Sequence, residues 1–330
     1  MKTKSITLII AFFLMIFCFE YVNAKDLYVV TTLPSLASIT QSIGGDIIDV
    51  SSITRGAQDA HYVEAKPSYM LNVNKADLLI YSGLELEIGW LPLLIQGARN
   101  DEVTVGSRGN LNASLAITTN NILEKPRGEV DRSMGDVHPM GNPHYLLNPH
   151  NAIYVTRLIT EKLCELDPEH KTQFQENADL FIQQLENKIK EFEKQTEYLK
   201  GQEVVCYHVH WSYLLSWLGL KSAGYIELRP GIPPTPKHKQ RIIELIKEHN
   251  IKVVIISSWK DPSKAEEVAE STGAKLLILP GEVNAMEGAE DYFSWIEYLT
   301  THLIEAFPSE IQINQSRQQV REQERKRGNQ

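Results

Sequence analysis

Between residues 26 and 106, short apolar runs alternate with stretches of helical spacing. Leu27-Tyr28-Val29-Val30-Thr31 and Ala76-Asp77-Leu78-Leu79-Ile80-Tyr81 are rich in β-formers and read as buried strands, with a further strand-like run over 50–54. Residues 34–43 and 89–98 lie where crossover helices belong. The second half repeats this grammar: 204–207, 253–257 and 276–279 read as strands, and 242–249 and 264–272 as the helices between them. Alternating β and α units predict an α/β fold with mostly parallel sheets covered on both faces. No internal repeat of solenoid or propeller type is present.

A different pattern separates the halves. Asp167-Pro168-Glu169 has the form of a helix start, and no Gly or Pro follows until Gly201. Phe174, Ala178, Phe181, Leu185, Ile189 and Phe192 step by four or three residues and draw one apolar stripe. The expectation is two similar α/β lobes, 25–166 and 200–308, joined by one long backbone helix over 167–199. A helix of about 30 residues is roughly 45 Å long, enough to run along two small domains. A coiled-coil dimer would need a longer stripe with ordered flanking charges, so a monomer is expected. Residues 309–330 are polar and basic, a composition that favours a disordered tail.

The beginning of the chain changes the picture of where it works. Lys2 and Lys4 precede an apolar run over 6–19, and Val22-Asn23-Ala24 offers small residues at −3 and −1. Residues 1–24 therefore read as a signal peptide cleaved near Ala24, which places the mature chain in the periplasm. Bulky Ile16-Phe17 before Cys18 do not fit a lipid-attachment motif. No other segment has the length and apolarity of a membrane span. Loss of Lys2, Lys4 and Glu20 would take the formal charge from −9 to −10. Such an acidic chain is a poor partner for nucleic acid or an anionic lipid surface. Cys164 and Cys206 are too far apart in sequence for a CxxC motif; two buried free thiols are expected, although an oxidising compartment permits a bridge.

Three of the ten histidines have unusual local settings. His61 follows a strand-like run in Gly56-Ala57-Gln58-Asp59-Ala60-His61-Tyr62. His144 lies in the turn-rich Gly141-Asn142-Pro143-His144-Tyr145, before a helix opening near Asn148-Pro149. His208 leaves the strand ending at Tyr207, with His210 two residues on. Loops at strand ends are where open α/β sheets place ligands, and imidazole is a favoured zinc ligand. A lone loop histidine is usually solvated, and no H-x-x-x-H or H-E-x-x-H spacing links these three. His170, His238, His249 and His302 fall in helical segments, and His138, with Met134 and Met140 in a Gly-rich loop, reads as part of a mobile surface loop, with a transient metal contact as the alternative.

Four stretches carry a resemblance over nearly the whole mature chain: His61-Tyr62-Val63-Glu64-Ala65-Lys66-Pro67-Ser68; 76–83 with Glu85, Glu87 and Trp90; Asn142-Pro143-His144-Tyr145-Leu146-Leu147-Asn148-Pro149; and His208-Val209-His210-Trp211-Ser212-Tyr213. In this order, around one long helix, they resemble the metal-specific solute-binding proteins of ABC transporters, the cluster A-I family that supplies zinc or manganese importers. The resemblance implies that His61 and His144 of the N-terminal lobe and His208 of the C-terminal lobe hold the metal. His210 matches a small non-ligand position of the family. Where the family places a fourth, carboxylate ligand, this chain reads Leu279-Pro280-Gly281-Glu282. Pro280 has no donor side chain, so Glu282, or a water it holds, is the expected replacement, with Glu227 next.

The resemblance implies extracytoplasmic capture of a divalent metal ion and delivery to the permease and ATPase of an ABC importer, with no catalysis. Zn²⁺ is favoured over Mn²⁺ because neutral nitrogen donors suit zinc and manganese prefers oxygen. A zinc hydrolase is the main alternative, with Glu64 or Glu227 as general base. An adhesin or metal buffer uncoupled from transport is another.

Overall fold

A computed structural model describes residues 27–126, 138–227 and 232–307. The expected leader over 1–24 and the tail over 309–330 lie outside the described residues. In the N-terminal lobe, β1 (Leu27–Thr31), α1 (Pro34–Gly44), β2 (Ile48–Ser52), α2 (Pro67–Asn74), β3 (Leu78–Tyr81), α3 (Leu91–Ala98) and β4 (Asn110–Asn112) follow in order, and α4 (Pro149–Leu166) closes the lobe. The strands form one sheet in the order β2-β1-β3-β4, with every pair parallel. In the C-terminal lobe, β5 (Glu203–Cys206), α6 (Ser212–Leu218), β6 (Lys221–Tyr225), α7 (Pro236–Glu248), β7 (Val253–Ser257), α8 (Ser263–Thr272), β8 (Lys275–Leu279) and α9 (Tyr292–Ala306) repeat the scheme. Its sheet runs β6-β5-β7-β8, again all parallel. Both sheets thus share one topology, and each reverses direction beside its first strand. In such sheets the crevice outside the strands' C-terminal ends is the ligand position.

The helix between the lobes is α5 (Lys171–Gln195), followed by a short 3-10 turn at Glu197–Leu199. It starts four residues later than the sequence suggested. The Asp167 carboxylate accepts from the amides of Glu169 and His170, and this turn uses the residues expected to open the helix. All six residues of the predicted stripe are buried, joined by Ile182. At roughly 1.5–3 kcal/mol per large apolar side chain, this one face is a major contribution to stability.

Strand alternation divides the interior into three. Val29 of β1 and Ile255 of β7 face a large core that runs through α5 and joins both lobes. Their neighbours Val30 and Val254 point the other way, into a separate cluster in each lobe. Cys206 is buried, Cys164 is half-buried and both are free thiols. No helix among the described residues is long and apolar enough to cross a membrane.

Candidate metal centre

The facing edges of the two sheets supply the polar groups of the cleft. In the C-terminal lobe every strand exit delivers one: His208 two residues after β5, Glu227 two after β6, Lys260 three after β7 and Glu282 three after β8. The loop after β2 brings Asp59 and His61 from the other lobe, and His144 comes from the turn that precedes α4. Parallel strands aim all their C-terminal ends at one edge, so residues scattered over the chain meet at one place.

His61, His144 and His208 are brought together. Their ring centroids are 5.3 Å apart for His61 and His144, 6.2 Å for His61 and His208, and 6.4 Å for His144 and His208. Imidazoles that ligate one zinc tetrahedrally, with Zn–N of about 2.0–2.1 Å, stand about 5 Å apart by the same measure. Among the described residues, no three donor groups have already converged on one coordination point. A contraction of about 1 Å would bring them there, given the zinc–nitrogen distance above.

The polar contacts of the cluster orient these rings. Nδ1 of His61 is 2.6 Å from Oδ1 of Asp59, which turns Nε2 into the cluster. Burial pushes the Asp59 carboxyl up, but its hydrogen bond to His61 and the nearby Lys260 outweigh this and hold it below the usual range. Carboxylate behind imidazole is the usual support of a metal-binding histidine. His144 is half-buried, but its Nε2 is shielded from solvent and has no hydrogen-bond partner. Burial, then the surrounding histidines, depress its pKa well below the usual imidazole value, so it is a neutral donor. Nδ1 of His208 lies 2.8 Å from Oε2 of Glu227.

Glu282 has other work. Its Oε1 accepts from the amides of Ser35 (2.9 Å) and Val283 (2.9 Å), so a C-terminal-lobe carboxylate closes the N-terminus of α1 in the other lobe. Burial raises its pKa to about 7 despite those hydrogen bonds. Glu64 is a surface residue, with its side chain 86% exposed.

Two further histidines join the cluster. The His210 ring centroid is 4.1 Å from that of His144, and its Nε2 is 3.0 Å from the Gly281 carbonyl; burial pulls its pKa down to about 3. Nε2 of His138 is 3.1 Å from Nε2 of His61. The only available sequence signal for His210 was its spacing from His208: both leave β5 at its C-terminal end. The signal for His138 was weaker, a Gly-rich loop shared with Met134 and Met140.

The sequence model of the family described as "Zinc-uptake complex component A periplasmic", ZnuA, matches residues 29–306. The high-affinity zinc uptake system protein ZnuA of Bacillus subtilis is 26% identical over 266 residues, 81% of this chain and 80% of that protein. The manganese ABC transporter substrate-binding lipoprotein PsaA of Streptococcus anginosus is 24% identical over 285 residues, covering 84% and 87%. In three dimensions the crystal structure of ZnuA matches with a TM-score of 0.71 at 22% identity, over 85% of this chain and 98% of that one. The family match takes in both sheets, α5 and every histidine of the cluster, and the chain belongs to the family of periplasmic zinc-uptake complex components A.

Proposed function

We propose that the protein captures a divalent transition metal ion outside the cytoplasm and hands it to the permease and ATPase of an ABC importer, with zinc as the favoured cargo. The observation that carries this reading is the meeting of His61, His144 and His208 from three segments and both lobes, with the buried Nε2 of His144 left unpartnered. Three neutral nitrogens favour zinc over manganese. Family membership and the transport proteins among the relatives support delivery to an importer rather than catalysis. The periplasm and cleavage near Ala24 belong to the same reading, as does a monomeric state.

For the fourth position we favour Glu227, whose Oε2 already lies at the His208 ring, over Glu282, whose Oε1 is engaged by two amides. Glu227 is also the residue a hydrolase would use as a base. A transport ligand and a base are separable by experiment. Protein purified without added metal should take up one zinc. Ala at His61, His144 or His208 should each weaken binding at least about a hundredfold, as loss of a ligand does. Ala at His302, stacked on Tyr298 in α9, should have no effect. Equal effects at all four positions would refute the assignment.

A further inference from the structure

We propose that Lys260 is a clasp between the lobes: a positioning residue that sets how fast the bound metal leaves. The inference rests on the metal centre proposed above. Lys260 Nζ lies 3.3 Å from Oδ2 of Asp59 and 4.0 Å from Oε1 of Glu227. The second oxygen of each carboxylate turns to a histidine: Asp59 Oδ1 to His61 at 2.6 Å, and Glu227 Oε2 to His208 at 2.8 Å. One ammonium therefore joins two carboxylate–imidazole pairs, one from each lobe. The order is His61, Asp59, Lys260, Glu227, His208.

The placement of Lys260 suits this role. It follows β7, and its amide donates to the carbonyl of Ser257 at the strand end, which fixes the turn. Its side chain is 20% exposed, Asp59 is 18% exposed and Glu227 is 5% exposed, so solvent screens the group only partly. Two carboxylates facing each other across the cleft would repel and drive the lobes apart. An ammonium between them turns that repulsion into attraction across the cleft. Asp59 then stays behind the His61 imidazole and Glu227 beside that of His208, and both rings keep their lone pairs on one centre. Without Lys260, Asp59 and Glu227 can separate, and either histidine can swing away with its carboxylate. The clasp acts on departure more than on arrival, because an ion pair in the formed site is broken when the site opens.

A pure Coulomb effect predicts the reverse. A positive charge near a dication weakens its binding, so removal of Lys260 would slow release. The two ideas differ in sign.

The test is stopped-flow release of Zn²⁺ from the loaded full chain into excess chromogenic chelator. Lys260→Met and Lys260→Gln should release zinc about tenfold faster than wild type, the scale of a truncated partly buried charge pair. Lys260→Arg should restore the slow rate. Lys260→Met in an Asp59→Asn background should add nothing to the rate of Asp59→Asn alone. The melting temperature of the metal-free variants identifies a merely destabilised chain, which would not follow this pattern of rescue and non-additivity. Unchanged or slower release from both neutral variants would overturn the clasp. His144→Ala separates the two readings. If it keeps zinc as wild type does, the metal centre is wrong and the clasp with it. If it loses zinc while Lys260→Met behaves as wild type, only the clasp is wrong.

Discussion

Nε2 of His61 and Nε2 of His138 are 3.1 Å apart. That separation is close to the edge of a zinc tetrahedron, about 3.3 Å for Zn–N of about 2.0–2.1 Å. Two imidazoles also approach this closely when one donates a hydrogen bond to the other, but the donor nitrogen then carries a proton, whereas a shared metal needs a lone pair on both. His138→Ala should weaken zinc binding by about tenfold, less than replacement of His61, whose ring is fixed by Asp59. Competition titration against a calibrated chelator measures both. A His138→Ala affinity equal to wild type would leave the contact as a hydrogen bond alone.

Acid should destabilise the metal-free protein. His144 and His210 are held neutral by burial, with His210 at about 3. The unfolded chain protonates both near about pH 6.5 and so binds more protons than the folded chain below that value. The stability they contribute is present above about 6.5 and is lost as pH falls toward their folded values. Metal-free melting temperature should therefore drop steeply over that window. Bound zinc should shift the drop to lower pH, because metal competes with the same protons. His210→Gln should flatten the metal-free profile; a profile unchanged by it would show that other groups carry the acid response.

Glu282 should behave in the opposite sense. Its folded pKa, raised to about 7, exceeds the unfolded carboxyl value. The stability tied to its protonated form is present at low pH and is lost as pH rises through about 7, where the buried group must ionise. Glu282→Gln keeps an oxygen for the amides of Ser35 and Val283 without the charge. The variant should melt higher than wild type at pH 8, with little difference at pH 4, and should retain zinc affinity. A large loss of zinc affinity would make Glu282 a ligand after all.

The fold was legible where strands are apolar, whether central or, like β8, at an edge. β1, β3, β5, β7 and β8 carry runs of Val, Ile and Leu that announce themselves. β4, with the sequence Asn-Leu-Asn, and β6, Lys-Ser-Ala-Gly-Tyr, are edge strands with partners on one side only; they need no such run and gave no signal. α9 went unread despite a capping box at Asp291 and a buried stripe of Tyr292, Trp295, Leu299 and Leu303. At the site, His61, His144 and His208 were legible from turns and strand exits together with the family resemblance. Glu227 stood second to Glu282 as a candidate, while His138 and Lys260 owe their place to contacts between segments up to 201 residues apart, as in the pair of Lys260 and Asp59. Local spacing does not encode such a meeting; the apposition of two sheets creates it.

The core that passes through α5 has a consequence for the cargo. Phe174 and Phe192 lie near opposite ends of that helix and belong to one buried cluster with Val29 of one sheet and Ile255 of the other. Neither half owns a complete interior, so a break in either exposes apolar surface in both. Unfolding is then a property of the whole chain, and an ion bound in the cleft would be linked by mass action to every amide in the molecule. A filled cleft should therefore protect not only its own loops but also the distant helices of both lobes from hydrogen exchange, as exchange measured with and without zinc would read.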